Sequence, residues 1–566
     1  MSLFRSIINT FLFHAGSLLG LIIRCDYVAK ARNGKRVSEK TLLKILKANR
    51  NTEYGKKNHF SEIRSSADYK TRIPLSTYED YKGYIEQTRE NGTQNLITSK
   101  HISFFATTSG TTSIQKFIPQ SPLTLIIFFK CICIFLNQCR NTLRARKVSS
   151  FNVRGFLITE VSSSFQKNKD GTISTGIISG YAAQGMKLFL PIFTQLPKEI
   201  IGCGEITDKE YVKSRYALQS KDLKFIVAPF MSSVTYSVSY IEKNHEMLID
   251  DIEKGKINLG IEMSDAIRTK LESKLKPDPE RAEELRRIFS TDSDIPLLNR
   301  IWPDLSFIVA IGSADFTPFT KTIRTLCKED VDICYSLYAC SESLIACAIY
   351  PSKPKYLPII DSAFYEFIPI DSTETDKVLN ICELEEGKLY EIILTNSTGL
   401  YRYQLKDVIK VVGFEGETPL IEFAYRSNFV TDLCGAHITG EHLSSSVKDL
   451  ERDYDVLATD YSIYANTDYK GPHLELFIEF DKDIDKQTIE DMSVSFEKYM
   501  SNYAWDYKDF RKVNIIRPAV VHVVKRGSYF DYRSNEISKG ASSNQLKAIR
   551  LIDNDKKLSF FRNRIL

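Results

Sequence analysis

Residues 104–122 read FFATTSGTTSIQKFIPQSP. An apolar run of strand character turns into a cluster of hydroxyl side chains around Gly110, then ends on one cation, Lys116, and two prolines. A phosphate loop of the G-x-x-x-x-G-K-[ST] kind is excluded, because Gly110 stands alone and the lysine lies six residues on. The parts still suit a polyphosphate: backbone amides and hydroxyls in a turn after a strand, a permissive glycine, and a cation nearby. A plain Ser/Thr-rich turn accounts for the same residues, so the rest of the chain has to decide.

Outward from this loop, strand-like apolar runs at 154–159, 224–229, 305–312, 363–369 and 389–395 alternate with helical patterns, which predicts an α/β fold of layered sheets and helices. Helix starts are marked at Ser38, with Val37 and Leu42 as a staple pair, at Ser76 with the capping-box spacing to Glu79, and at Asp278 before Pro279. After about residue 425 the texture changes to LELFIEF (474–480), a helical 489–502 and AVVHVV (519–524), a smaller α+β unit. The polar, glycine-bearing YRSNFVTDLCG (425–435) is the expected boundary, giving domains 1–428 and 429–566.

At 566 residues the chain exceeds one core. Its composition, 43% hydrophobic and 26% charged with a net charge of +5, is that of a soluble protein without the basic stripe of a nucleic-acid binder. Eleven cysteines contain no C-x-x-C pair and mostly sit in apolar runs, the pattern of reduced thiols in a cytoplasmic protein. The eight histidines are dispersed, which argues against zinc. Two stretches, 7–23 and 123–136, are apolar but broken by Asn9, Thr10, His14, Ser17 and Lys130, and read as core helices rather than stable membrane spans. No clean cleavage site follows the first. A peripheral membrane contact by that helix stays open.

Two further motifs bear on the hydroxyl loop. YSLYACSESL (335–344) offers a tyrosine face for a purine ring and a loop glutamate for Mg2+ beside phosphates. TGLYRYQLKDVIKVVGF (398–414) places Asp407 four residues after Tyr403, where a carboxylate with two free oxygens takes both ribose hydroxyls. Singly, each has a plain alternative: a buried tyrosine, a solvated glutamate, a turn aspartate.

In this order and spacing the three motifs resemble the acyl-adenylate-forming superfamily, and more closely the auxin-responsive Gretchen Hagen family of acyl-acid amido synthetases. The resemblance runs nearly end to end: NTEYGKKNHFSEI (51–63) and YKTRIPLSTYEDYKGYIE (69–86) resemble the family's opening, FYEFIP (364–369) its short strand, and ASSNQLKAIRL (541–551) its Q-x-K-x-x-R signature. It implies a large N-terminal domain with a β-barrel-like part and a smaller, mobile C-terminal domain. By resemblance, Thr108, Ser109, Gly110, Thr111 and Thr112 hold the ATP phosphates and Tyr338 lines the adenine site. Ser341 contacts phosphate or acyl carboxylate, Glu342 binds Mg2+, Asp407 binds ribose, Arg426 sits at the hinge, and Lys547 is the mobile lysine at the α-phosphate. Lys547, Ser109 and Glu342 are then the catalytic set.

The implied reaction joins a carboxylic acid to an amine, an amino acid by expectation, through an acyl-adenylate made from ATP with Mg2+, in a monomer. No G-x-S-x-G nucleophile elbow competes with this reading. The acyl pocket is expected near 161–180, 230–240 and 312–316. GAHITGEHL (435–443) departs from the family, with His437 where a lysine is usual and Gly440 where a glutamate is. That departure keeps an ATP-binding, non-catalytic homologue open, beside a coenzyme A thioester ligase.

Overall fold

Continuous apolar runs need burial on both faces, and here they form a sheet between helices. The computed structural model describes residues 3–107, 116–159, 165–186, 189–197, 206–312, 316–335, 337–350, 353–370, 378–426, 430–434, 436–468, 471–539 and 548–566. A four-stranded sheet runs in the order Gly155–Leu157, Phe225–Phe230, Phe307–Ile311, Asp332–Cys334, with parallel pairing in its first and last pairs. Its strand FIVAI (307–311) is buried along nearly its whole length, as a parallel strand covered on both sides must be. A second four-stranded sheet takes the strands on either side of the hydroxyl loop. The antiparallel part of the fold is an eight-stranded sheet in which Ala363–Pro369, Leu389–Asn396 and Tyr403–Glu415 are neighbours.

The chain divides into two compact units, each described by itself. The first comprises Met1–Pro229, Asn244–Ile311 and Glu329–Phe423; the second comprises Phe230–Lys243, Gly312–Lys328 and Ala424–Leu566. The core of the first is aromatic around Tyr401, whose ring stacks on Tyr54 at 5.0 Å and whose hydroxyl donates to the Ile97 carbonyl at 2.7 Å. Beside it, buried Arg402 holds a positive φ of 51° and bonds Glu366 at 3.1 Å and the carbonyls of Lys70 and Ile73.

Two helix starts depart from expectation. The helix that contains Ser38 begins at Gly34, so Ser38 is buried in its second turn instead of capping it. Ser76 does not cap the helix Glu79–Asn91. Its hydroxyl bonds the Tyr401 carbonyl at 2.7 Å, and Asp80 reaches back to the Thr77 amide at 2.7 Å. The hydroxyl is engaged by a tertiary carbonyl and not by the local helix amide. Asp278 caps as expected, accepting from the Arg281 amide at 3.1 Å.

The two apolar stretches form the helices Leu3–Ala31 and Pro122–Ala145, which pack against each other. A Cβ on Gly20 would lie 1.8 Å from the Cys133 carbonyl oxygen, so only glycine permits this approach. Both are long and apolar enough to cross a bilayer, and only 28% and 33% of their most apolar windows are buried. The expectation of core helices therefore holds for their inner faces alone.

In the second unit, strands Ala458–Asn466, His473–Phe480 and Val520–Val523 form a three-stranded sheet, antiparallel then parallel. Buried Glu475 accepts from Asn466 at 2.8 Å, Arg562 at 2.8 Å and His522 at 3.1 Å. Burial pushes its carboxyl up, but the bonds from His522 and Asn466 and the Arg562 charge outweigh that and hold it at about 2. A depressed folded-state pKa stabilises above the ordinary value of 4.5 and the stabilisation is lost as pH falls towards 2. Glu475→Gln should therefore lower the melting temperature at neutral pH, with the gap to wild type closing across that acid window. An unchanged gap at every pH would show that the carboxylate's charge is not what the cluster uses.

Candidate functional site

The strands Phe104–Thr107 and Phe117–Gln120 form an antiparallel hairpin whose last pair is Thr107 opposite Phe117. Thr108, Ser109, Gly110, Thr111 and Thr112 lie between these anchors and outside the described residues. The closing side is fixed: the Phe117 amide donates to the Tyr78 hydroxyl at 3.1 Å, and the Lys116 ammonium sits 5.7 Å from the Tyr78 ring centroid. On its other edge, Phe104–Ala106 pairs in parallel with Ser174–Gly176. The Phe104 ring stacks on Tyr181 at 4.3 Å and meets Phe165 edge-on at 4.9 Å. The described part of the expected acyl-pocket stretch 161–180 thus shares a sheet with the strands Phe104–Thr107 and Phe117–Gln120.

Residues of the second motif follow the short strand Leu337–Ala339. Cys340 and Ser343 close a turn by a 3.0 Å backbone bond, leaving Ser341 and Glu342 half-buried at its tip. Two side chains from elsewhere grip that tip. Gln120, at the end of the hairpin, donates to the Ser341 carbonyl at 2.7 Å, and Asn396 donates to the Glu342 carbonyl at 2.9 Å. The Asn396 carbonyl oxygen in turn accepts from the Thr398 and Leu400 amides at 3.0 and 3.2 Å, ordering the turn that opens the third motif.

Tyr338 and Asp407 meet directly: the buried hydroxyl donates to the Asp407 carboxylate at 2.7 Å. Asp407 therefore does not keep two free oxygens, since one of them accepts from Tyr338. At 2% exposure this carboxylate requires an internal donor. The Tyr338 ring also packs on Tyr356 and Phe423, with centroids 6.2 and 5.7 Å apart. The three motifs, far apart in sequence, are therefore fastened together inside the first unit.

In the second unit, Arg426 is exposed at the end of its strand. Neighbouring Tyr425 is pushed up to about 12 by burial and by Glu441. The His437 backbone lies in the strand Ala436–Thr439, opposite Asp432. Gly440 is the buried first residue of the helix Gly440–Tyr454, where the His442 amide bonds the Thr439 hydroxyl at 3.3 Å and burial lowers the His442 pKa.

Lys547 lies outside the described residues, but the segment that follows it is firmly held. The Arg550 carbonyl accepts from the Ile463 amide at 2.8 Å, and Leu551 bridges in parallel to Ile463. The Arg550 guanidinium bonds Asp460 at 2.7 Å and the Tyr461 carbonyl at 2.8 Å, lying 3.9 Å over the Tyr461 ring. Asp460, 2% exposed, also pairs with buried Arg533. Sequence reasoning did not find Gln120, Asn396, Asp460 or Arg533. The signal for Asp460 was an acidic residue inside the strand run ATDYSIYA.

Magnesium is held in nucleotide enzymes by one or two carboxylates and the substrate phosphates. Among the described residues no three His, Cys, Asp or Glu side chains form a metal-binding group. Glu342, at a turn tip beside the hydroxyl-loop hairpin, fits the single-carboxylate mode.

Comparison with known proteins covers nearly the whole chain. The family models described as GH3 family N-terminal, central and C-terminal domains match residues 26–332, 356–426 and 441–556. A jasmonoyl–L-amino acid synthetase of Nicotiana attenuata is 24% identical over 552 residues, which is 93% of this chain and 92% of the relative. A probable indole-3-acetic acid-amido synthetase of Arabidopsis thaliana is 25% identical over 562 residues, 94% and 92% of the two chains. The solved structure of the GH3.15 acyl acid amido synthetase superposes with a TM-score of 0.84 at 21% identity, covering 97% of this chain and 96% of that one.

Proposed function

From the premise that the chain belongs to the GH3 family, we propose that it is an acyl-acid amido synthetase, working in the cytoplasm as a monomer. A substrate carboxylate oxygen attacks the α-phosphorus of ATP and pyrophosphate leaves. The amine nitrogen of an amino acid then attacks the acyl carbon, the C–O bond to AMP breaks, and the amine sheds a proton. The observation that carries this reading is the fastening of the three motifs in one place, by Gln120 to Ser341, Asn396 to Glu342, and Tyr338 to Asp407.

No covalent enzyme intermediate is needed, so catalysis rests on positioning and on charge placed where the pentacoordinate phosphorus develops it. The hydroxyls and amides of Thr108–Thr112 wrap the β- and γ-phosphates. Tyr338 lines the adenine site, and Asp407, oriented by the Tyr338 hydroxyl, accepts a ribose hydroxyl. Ser341 contacts phosphate or acyl carboxylate. Glu342 would hold Mg2+, which would neutralise phosphate charge. Lys547 is the cation at the α-phosphate, and Arg426 is the hinge. The free thiols of the described cysteines are consistent with a reducing compartment.

A pyrophosphate-release screen of carboxylic acids crossed with the twenty amino acids, with mass detection of products, tests the proposal. The expected result is acid-dependent release and an amide conjugate. Release yielding a thioester only when coenzyme A is added would replace the amide ligase by a thioester ligase. ATP binding with no release across the panel would replace it by a non-catalytic homologue.

A further inference from the structure

The N-terminal helix Leu3–Ala31 is built inside out. Residues 4, 7, 11, 15, 18, 22, 25 and 29 follow the helical period and fall on one face. That face is apolar throughout: Phe4, Ile7, Phe11, Ala15, Leu18, Ile22, Cys25 and Ala29. It points to solvent, with Phe4 72%, Phe11 69%, Leu18 57% and Ile22 60% exposed. Ser6, Asn9 and Ser17 lie on the opposite, buried face with Phe13 and Tyr27. Asn9 donates to the Val153 and Ile192 carbonyls at 2.8 and 2.9 Å, Thr10 accepts from the Asn152 amide at 3.0 Å, and Ser17 is fully buried. These bonds fix the helix's rotation, so the apolar face has no inward alternative.

The patch continues on the adjacent helix Pro122–Ala145, where Ile126 and Phe129 are 53% and 47% exposed. With Leu3, Leu19 and Leu21, the exposed side chains present on the order of 1,000 Å², taking roughly 200 Å² for a large apolar or aromatic side chain, against the few hundred Å² common on soluble monomers. The stripe from Phe4 to Ile22 is about 27 Å long at 1.5 Å per residue.

The surrounding charge identifies the occupant. The helices Leu3–Ala31 and Pro122–Ala145 carry Arg5, Arg24, Lys30, Lys130, Arg140 and Arg144 against one acidic residue, Asp26, which is paired with Lys30, although the chain as a whole is nearly balanced. Arg140 and Arg144 are exposed and return to the helical face of Ile126, Arg144 after five turns. A second copy would bring like charges together, and an acidic protein groove would require a concave partner for a convex ridge. An apolar ridge bordered by cations is what enters the interface of an anionic bilayer, its aromatic and aliphatic side chains below the headgroups and its arginines among them.

We propose that the paired helices Leu3–Ala31 and Pro122–Ala145 form a peripheral membrane-docking surface that lies in the headgroup region of a bilayer rich in anionic lipid. The helices do not span, because the inner face of the first is bonded to the body of its own unit.

Flotation of the full chain with vesicles of phosphatidylcholine, with and without phosphatidylserine, tests this. Binding is expected to phosphatidylserine vesicles, weaker at high salt, and reduced by at least about tenfold in Phe11→Ser/Leu18→Ser/Ile22→Ser. Arg140→Glu/Arg144→Glu should weaken it by at least about tenfold, since each basic residue near the surface contributes roughly 1 kcal/mol. Phe11→Trp, which keeps the packing, should be quenched by brominated lipid. Unaltered circular dichroism and sedimentation of these variants show that the fold is retained. No binding to either vesicle, or a triple variant that still floats like wild type, overturns the proposal. So does wild-type self-association that the triple variant abolishes in the absence of vesicle binding, which would assign the patch to a second copy.

Discussion

Asp460→Asn is expected to destabilise the second unit by about 3–5 kcal/mol, the cost of stripping the counter-charge from a buried ion pair. The carboxylate is 2% exposed and serves two guanidiniums, Arg533 and Arg550, themselves 7% and 4% exposed. Removing its charge leaves the two buried guanidiniums without the carboxylate that pairs them. Arg533 lies 5.0 Å from the Phe319 ring and Arg550 3.9 Å from Tyr461, so both are held by stacking and cannot swing out without breaking the packing. Hydrogen exchange of the full chain measures the effect, as lost protection over 458–466 and 474–480. Asp460→Leu combined with Arg533→Met and Arg550→Met should recover most of the loss, because apolar replacement of a whole buried cluster is close to neutral. Wild-type protection in Asp460→Asn would show that hydrogen bonding alone, without charge, maintains the cluster.

How far the sequence reveals such features depends on where their partners lie. The buried strands were legible because a strand covered on both faces is one uninterrupted apolar run, as in Phe307–Ile311. Asp278 was legible as a cap because its acceptor role is completed three residues away, whereas Ser76 was misread because its hydroxyl bonds Tyr401, 325 residues on. The same distinction separates the three motifs from their fastenings. The motifs show as local residue types at a characteristic order, but Gln120 and Ser341 are 221 residues apart, and nothing near Gln120 announces its partner. The N-terminal helix failed differently. Its hydropathy was read correctly, but a sum over residues does not say which face meets water. The clue was present in the polar positions Ser6, Asn9, Phe13 apart, and Ser17, which share one side of the helix and left the apolar residues the other. His437 and Gly440 are a remaining case: the fold places their backbones at a strand and a helix start, which makes Gly440 a first-turn residue and gives no reason for the loss of a lysine at 437.

Lys547→Ala is expected to slow acid-dependent ATP–pyrophosphate exchange by about 10²–10³-fold while leaving ATP binding in place. A lysine that meets the α-phosphate acts on charge developed in the transition state more than on charge already present in bound ATP, so its loss falls on turnover and not on affinity. In the proposed mechanism the ground-state contacts of ATP belong to the motifs of the first unit, which this substitution does not touch. Three residues downstream of Lys547, Arg550 ties the chain to Asp460 and to the strand Ala458–Asn466. If Lys547 has the proposed role, Arg550 acts as a positioning residue: Arg550→Met should lower exchange through the same step, yet, unlike Lys547→Ala, it should also loosen hydrogen-exchange protection at 549–552. Exchange at the wild-type rate in Lys547→Ala, with the correct acid present, would remove Lys547 from the α-phosphate. A loss of ATP binding equal to the loss of exchange would make it a ground-state contact, and the charge at the reacting phosphorus would then have to come from Mg2+ on Glu342 and the amides around Ser109.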